Sequence, residues 1–496
     1  MTAVTTAPPT VLTMEDYRST YEPRGWQLLI VGPTATWRQE WGEWEAIREV
    51  VQNALDETER YYFWHDQEGL WIADEGKGVA VADFLLGPPK LKPPYARGRF
   101  GEGMKLAALA LLRKGYSVKV DTVGREVWLV FLKVKVNGEA EQLAALWRPD
   151  GRRVGTWFHI IGYHGPAYEE RFAVNIPRQH ILHQGPSPLA EPVRRYNQLI
   201  GEPFQGVIYA RDIYMRDINS PWAYNLWGFA LAPDRHGPES ESDVWTDMGR
   251  LWATVTDAGL LERLLGMVAR PPLEPTHESE HLVLNAWLGR EPVSSKRYDD
   301  FIAENASAWR LAWQRRFGEA AVLRTDGRWD GTVRHLGYEP VEVAWDVREG
   351  LARAIKTDSG LVKESQERLR EAQVIPDEGL SAKQRAHLRL ARAIAGRVAR
   401  YPPVAGVHAA IIPPASERTR TAGMYSRTTQ EVFIASDQLE RARTAVDTLI
   451  HELAHHTSGA EDMTEGHSSE MTRLGADLVM RVSRGELDEV LKEVEW

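Results

Sequence analysis

Three glycine clusters punctuate the first third of the chain, at residues 74–78, 98–103 and 155, and they limit its fold more than any other feature. Glycine lets a backbone turn tightly or lie against a flat ligand, so each cluster marks a junction between elements. The elements come from the apolar pattern. In residues 43–58, Ile47, Val50, Val51, Ala54 and Leu55 recur at helical spacing and form one face. Glu49 and Asn53, one helical turn apart, share another face of that helix. A carboxylate beside a carboxamide suits two tasks: the Asn53 oxygen can ligate Mg²⁺, and Glu49 can orient and deprotonate a water. Residues 69–73 read as a strand running into Asp74-Glu75-Gly76-Lys77-Gly78. A buried Asp74 there can accept an adenine amino hydrogen, while Gly76 and Gly78 let the backbone approach the ring. The run Gly98-Arg99-Phe100-Gly101-Glu102-Gly103-Met104-Lys105 leads into a helix that reaches Lys114 and a capping Gly115. Free N–H groups at such a helix start attract phosphate, and Lys105 adds positive charge in the first turn. Residues 86–99, rich in proline and lysine, suit a mobile lid. Residues 153–161 read as a strand carrying Gly155-Thr156, whose hydroxyl can complete the floor of the site. No strand precedes the 98–103 loop and no GKS or GKT follows it, so Rossmann and P-loop readings both fail.

In this order, E-x-x-x-N, D-x-G-x-G, G-x-x-G-x-G and a late G-T, residues 25–165 resemble the GHKL or Bergerat ATPases, a family that includes type II topoisomerase subunits, the mismatch-repair MutL proteins and the histidine kinases. The resemblance implies an α/β sandwich that binds Mg-ATP. Glu49 would be the general base, Asn53 the Mg²⁺ ligand, and Asp74 the adenine reader. The stretch Gly98 to Lys105 would enclose the phosphates, with Thr156 on the floor. Glu75 stands where the family often has Asn. Histidine kinases usually lack a counterpart of Glu49, so the likeness is to the hydrolysing branch. In that branch a second domain brings a Lys or Arg to the γ-phosphate, and ATP closes a homodimer. Strand-like alternation at residues 206–216, a further strand near 224–231, and the pair Asp234-Arg235 are candidates for such a transducer.

Near the C-terminus, residues 448–456 read TLIHELAHH. A helix starting near Ser436 or Asp437 and ending by Gly459 places His451 and His455 on one face, with Glu452 beside them. Two such imidazoles can hold Zn²⁺, and the carboxylate can take a proton from water at the metal. This is the zincin metallopeptidase arrangement. Residues 421–425 and 431–435 read as a strand pair that can offer an edge to an extended peptide. Catalytic zinc needs a third protein ligand, and Asp462, His467 and Glu470 are within reach. The Gly466-His467 pair resembles the SprT-like proteases, which favours His467; Glu470 would follow the gluzincin pattern. His456 is expected to pack rather than bind metal. His277 and His281, in a polar stretch beside a linker, read as a solvated helix start.

Composition bounds the rest. No cysteine is present, so disulfides and thiolate zinc sites are excluded. A net charge of −10 argues against a nucleic-acid binder held by bulk charge, leaving only a local basic groove for that role. No run of about 18 apolar residues suggests a membrane span, and no secretory leader is visible, so a cytoplasmic protein is expected. The expected class is α/β (α+β multidomain). Its parts are an arm at 1–24, the ATP-binding sandwich at 25–165, a transducer-like α/β region at 166–270, a mainly helical connector at 271–400 with one strand at 341–345, and a minimal zincin at 401–496. The combined expectation is an ATPase whose nucleotide state controls a zinc-dependent endopeptidase acting on a protein or peptide. The alternative is an ATPase clamp or nucleic-acid machine with a structural metal domain.

Overall fold

The computed structural model describes residues 7–58, 61–85, 103–135, 139–149, 153–166, 168–186, 196–232, 237–271, 296–399, 403–462 and 464–495. Residues 98–102, 234–235, 277 and 281 therefore lie outside the described residues, as does the expected lid at 86–99. The chain is α/β and divides into two compact units, Met1–Asp247 and Met248–Trp496.

The larger sheet of the first unit runs in the order β2 (Gln27–Thr34), β7 (Glu139–Pro149), β6 (Arg125–Lys135), β5 (Ser117–Thr122), β8 (Thr156–Ile161), β4 (Gly69–Asp74) and β3 (Tyr61–His65), with β1 (Val11–Leu12) parallel to β6. Alternation along the strands gives the sheet two apolar faces. On one, Leu70, Ile72, Val118, Val120, Leu129, Phe158 and Ile160 meet helices α1 (Glu43–Glu57) and α2 (Gly103–Arg113) in a dry core. Ile47, Val50, Val51, Ala54 and Leu55 of α1 all point into it, as their spacing predicts. Each such side chain contributes about 1.5–3 kcal/mol by leaving water. On the other face, Trp128, Val130, Leu132, Ala144 and Leu146 are covered by Leu12, Tyr17, Tyr21 and Trp26 from the N-terminal arm. Helix α2 stops at Gly115, whose φ of +86° lets its N–H and that of Tyr116 return to the carbonyls of Leu112 and Leu111.

A second sheet in this unit has the order β12 (Ile213–Asp217), β11 (Val207–Ala210), β13 (Ala223–Leu226), β10 (Tyr196–Ile200) and β9 (Ile181–Pro186). The alternation at 206–216 resolves into the β11–β12 hairpin. Its turn places Arg211 and Asp212 at φ +54° and +74°. Asn225 supports that turn, accepting from the Asp212 N–H and donating to its carboxylate. The strand expected near 224–231 is shorter: β13 ends at Leu226, and Leu231 makes only an isolated bridge to Pro238. Strands β9 and β10, not singled out from sequence, lie in the region expected to be transducer-like α/β.

Helix α3 (Glu241–Ala253) carries the chain into the second unit, where α4 (Ala258–Val268) packs on α5 (Lys296–Phe317). The parallel pair β14 (Ala321–Leu323) and β15 (Glu339–Val341) is backed by α6 (Asp330–His335) and α8 (Asp358–Leu369) through Val322, Val333, Leu336, Leu361 and Val362. The strand expected over 341–345 is a correction: β15 ends at Val341, and Trp345 opens α7 (Trp345–Leu351). Residues 342–344 stay extended because their backbone turns to another partner. Arg270 N–H donates to the Glu342 carbonyl, and Ala344 N–H donates to Val268.

The last sheet has the order β16 (Gln373–Ile375), β17 (Gly406–Ile411), β19 (Glu431–Ala435) and β18 (Gly423–Ser426), so β18 is an edge. Helices α9 (Ala382–Val398), α10 (Ala442–Ser458) and α11 (Glu465–Ser483) share one core with it, through Leu390, Ile394, Val407, Val432, Ile434, Leu449, Leu453 and Leu474. That core draws on residues 380–399, which composition alone groups with the helical connector. Helix α10 begins later than the expected Ser436 or Asp437. The Ser436 N–H is tied to Ala410 across the sheet, and a 3₁₀ turn at Gln438–Glu440 buries Leu439 before α10 starts. It ends as expected, at Gly459 with φ +66°.

A candidate metal centre and a candidate nucleotide cleft

Helix α10 buries Ala445, Leu449 and Leu453 in the core, and this orientation decides where its polar residues emerge. His451 and His455 rise together, with ring centroids 5.1 Å apart. Helix α11 starts at the N-cap Thr464, whose hydroxyl accepts the His467 N–H at 3.2 Å. That cap aims the His467 ring across the gap, 4.2 Å from His455 and 4.7 Å from His451. Asp462 lies on the turn between the two helices. One donor atom from each of His451, His455, Asp462 and His467 falls within 4.8 Å of all the others.

Asp462 Oδ1 is 2.9 Å from His451 Nε2 and 3.1 Å from His455 Nε2, yet it is buried without a hydrogen bond of good geometry. Three imidazoles and a carboxylate around such an orphaned atom match the donor chemistry of Zn²⁺. His455 Nδ1 lies 2.9 Å from the Ala460 carbonyl, which orients the ring and leaves Nε2 facing the cluster. Burial opposes charge on His455, but Asp462 and that carbonyl outweigh it and push the imidazole up to about 9. Burial would also raise Asp462; the two imidazoles instead hold it far below the usual carboxylate range.

Of the three candidates for a further ligand, the structure brings in both His467 and Asp462 and leaves out Glu470. The Glu470 carboxylate is held by Arg473 at 2.9 Å. His456 is buried with Nδ1 2.9 Å from the Tyr425 hydroxyl, a packing role as expected. Glu452 is 7 % exposed and lies directly beneath β18. A Cβ on Gly423 would stand 2.9 Å from Glu452 Oε1, so only glycine allows this approach. Burial pushes the Glu452 carboxyl up to about 7, against the pull of His451 and His455. His335, the last residue of α6, was not singled out from sequence. Its Nε2 is 3.5 Å from Asp462 Oδ2, and its ring lies 6.3 Å from His451 at 22°. Nothing in the spacing signals it, because it stands more than a hundred positions before His451.

In the first unit, the described members of the other predicted set lie at the ends of β4 and β8, on α1 and at the start of α2. Asp74, buried at the end of β4, faces Thr156 in register on β8. Its Oδ1 accepts the Gly76 N–H at 2.7 Å. Burial, as the largest influence, raises the Asp74 carboxyl, while the Gly76 N–H and Thr156 pull it down. Gly155 passes so close that a Cβ there would stand 1.9 Å from the Asp74 carbonyl oxygen. Thr122, also not singled out from sequence, links the two glycine clusters: its hydroxyl accepts the Val79 N–H at 2.8 Å and donates to the Gly155 carbonyl at 3.3 Å.

Glu49 is buried with its carboxylate against the start of α2. A Cβ on Gly103 would stand 1.9 Å from Glu49 Oε2. Arg48 Nη2 lies 3.5 Å from its other oxygen. Asn53 donates through Nδ2 to the Glu49 carbonyl at 2.8 Å, which commits the nitrogen to the helix and makes Oδ1 the end a cation would meet. Lys105, expected to face phosphate, is buried in the first turn of α2, and Met104 packs against the core. Asp74 and Thr156 thus meet across β4 and β8, and Glu49 meets the start of α2, with Asn53 one turn further along α1.

No protein-family model and no curated protein matches this chain. Among the described residues, no helix is long and apolar enough to cross a membrane.

Proposed function

We propose that this protein is a nucleotide-controlled, zinc-dependent endopeptidase, built from a GHKL-type ATP-binding sandwich and a minimal zincin. The observation that carries the peptidase half is the meeting of His451, His455, Asp462 and His467 within 4.8 Å, beside a buried Glu452 and an edge strand. A bound zinc ion would act there as a Lewis acid toward water and a peptide carbonyl. The chain's own residues do the rest. Glu452, buried beside the cluster, can accept a proton from water and return it to a leaving amine. Strand β18 offers its outer edge to an extended peptide, which would seat a scissile bond over Gly423 and Glu452. The Ala460 carbonyl keeps His455 turned toward the cluster.

In the nucleotide half, Glu49 is the proposed base, Asn53 the proposed Mg²⁺ ligand, and Asp74 with Thr156 the proposed adenine contact. Gly76, Gly78 and Gly103 provide close backbone approach. ATP-driven dimerisation belongs to this reading. The test is metal analysis of the purified full-length chain together with a proteome-derived peptide cleavage screen, with and without ATP. One zinc per chain and ATP-dependent cleavage abolished by Glu452→Gln are expected; a zinc-free chain that cleaves nothing in either state refutes the peptidase half.

One observation favours a second reading, a GHKL ATPase clamp with a structural metal domain. Asp462 adds a fourth donor, and four protein ligands are the closed set of a structural site. A zinc-loaded chain that cuts no peptide, and whose ATP-dependent behaviour is indifferent to Glu452→Gln, would select it.

A further inference from the structure

The four donors of the metal cluster are not equivalent in how they are held. His451 and His455 stand in the C-terminal half of a 17-residue helix packed into the core, and His467 sits in the capped first turn of another. Asp462 alone is carried by the turn that joins them, just beyond the left-handed Gly459. Its carboxylate also looks two ways. Oδ1 faces the two imidazoles of α10, and Oδ2 faces His335 Nε2, a group from a different part of the unit. The segment bearing His335 is pressed onto the same turn: a Cβ on Gly331 would come within 3.2 Å of the Asp462 carbonyl oxygen. Leu336, the next residue after α6, is pinned by the Ser416 hydroxyl, which donates to its carbonyl at 2.7 Å. His335 is therefore presented from a held backbone to a carboxylate carried by the connecting turn rather than by a helix.

We propose that Asp462 is a removable fourth ligand that closes the metal site at rest, and that His335 is the positioning residue that latches it there. The inference rests on the metal reading of this cluster and adds its regulation. Three rigid histidines define a coordination site with one open position. A carboxylate in that position excludes the exchangeable ligand on which Glu452 would act. Withdrawing one turn residue reopens the position without disturbing either helix. The partner group on the far oxygen sets how readily this happens, as outer partners of metal ligands generally do. An occupant or partner that engages His335 or the α10–α11 turn would license the site.

The full-length chain loaded with Co²⁺ in place of zinc tests this, because the visible spectrum of cobalt reports its ligand number. Added acetohydroxamate should leave the wild-type spectrum unchanged, whereas Asp462→Ala should bind it and shift the spectrum. His335→Ala should weaken cobalt binding by at least about tenfold and should also make the spectrum respond to acetohydroxamate. His335→Gln, which keeps a hydrogen-bond donor, should restore most of the wild-type behaviour. His335 is half exposed, so its variants are not expected to disturb folding. A wild-type site that takes acetohydroxamate as tightly as Asp462→Ala overturns the proposal, and so does a His335→Ala site as closed as wild type. If Asp462→Ala opens the site but no variant cuts any peptide, the latch stands and the peptidase reading falls. If neither zinc nor cobalt binds, both fall.

Discussion

Gly155 and Gly124 form a matched pair within one sheet. Both sit in the left-handed region, at φ +74° and +72°, and both flank β-strands of the first unit. An alanine pays about 1–2 kcal/mol for that backbone at either position, partly offset by about 0.4–1 kcal/mol from a less flexible unfolded chain. Gly124→Ala should therefore cost about 1 kcal/mol, since a Cβ there meets nothing within 4 Å. Gly155→Ala carries the same backbone cost and adds a collision. Its Cβ would stand 1.9 Å from the Asp74 carbonyl oxygen, 2.7 Å from that carbonyl carbon and 2.8 Å from Glu75 Cα. All three are backbone atoms, so no side chain can swing aside. Relief requires β8 to pull away from β4 at the Asp74–Thr156 pair. That removes ladder hydrogen bonds worth about 0.5–1.5 kcal/mol each and opens the buried floor around Asp74. Gly155→Ala should thus be destabilising by about 3 kcal/mol more than Gly124→Ala. Hydrogen exchange on β4, β5 and β8 through a urea series reads the first unit separately from the second. In parallel, the fluorescence of trinitrophenyl-ATP should be lost in Gly155→Ala and kept in Gly124→Ala. Two variants equal within about 0.5 kcal/mol, the usual range for surface changes, with equal nucleotide binding, would refute both the close approach and its place in the nucleotide floor.

Other expectations are smaller in scope. Glu49→Gln should leave nucleotide affinity near wild type while ATP turnover falls by about 10²–10⁴-fold, the range of a lost general base; unchanged single-turnover hydrolysis would remove Glu49 from that role. His467→Ala should abolish stoichiometric zinc, whereas Glu470→Ala should retain it, because Glu470 is engaged with Arg473; competition against a chromogenic chelator distinguishes them. In the metal-free protein the raised Glu452 carboxyl keeps its proton longer folded than unfolded. Its contribution to stability is therefore full below about pH 4.5 and is lost as pH rises through about 7. A shift of that size corresponds to about 3 kcal/mol, and urea unfolding of the metal-free chain between pH 5 and 8 should show that slope in wild type and lose it in Glu452→Gln; parallel pH profiles for the two would contradict the burial argument.

The parts of this fold that sequence made legible are those governed by a single element. The apolar stripe of α1 and the pairing of Glu49 with Asn53 depend only on helical period, and α1 has both. The same holds for His451 with His455 and for the stop at Gly459. Boundaries failed where tertiary partners override local pattern. Trp345 looks like the end of an apolar strand, but Val268 and Arg270 take the backbone of 342–344, and the chain turns into α7. Ser436 looks like a helix cap, but its N–H belongs to the sheet. Strands β9 and β10 were not singled out because polar residues interrupt their apolar alternation and their partners lie on each other.

The candidate sites divide along the same line. Periodicity can place two groups on one face of one helix; it carries no information about a group that arrives from another element. Thr122 reaches Gly155 because β5 and β8 are neighbours in the sheet, and His335 reaches Asp462 because α6 abuts the α10–α11 turn. The consequence for function is specific. On the proposed reading, the motif on α10 supplies two ligands and a base, and one further ligand would complete a peptidase site with an open position. Asp462, arriving from the turn, would raise the ligand count, with His335 positioning it, and ligand count separates an active centre from a closed one. On that reading the chemistry would reside in the helix and its control in contacts that only folding creates.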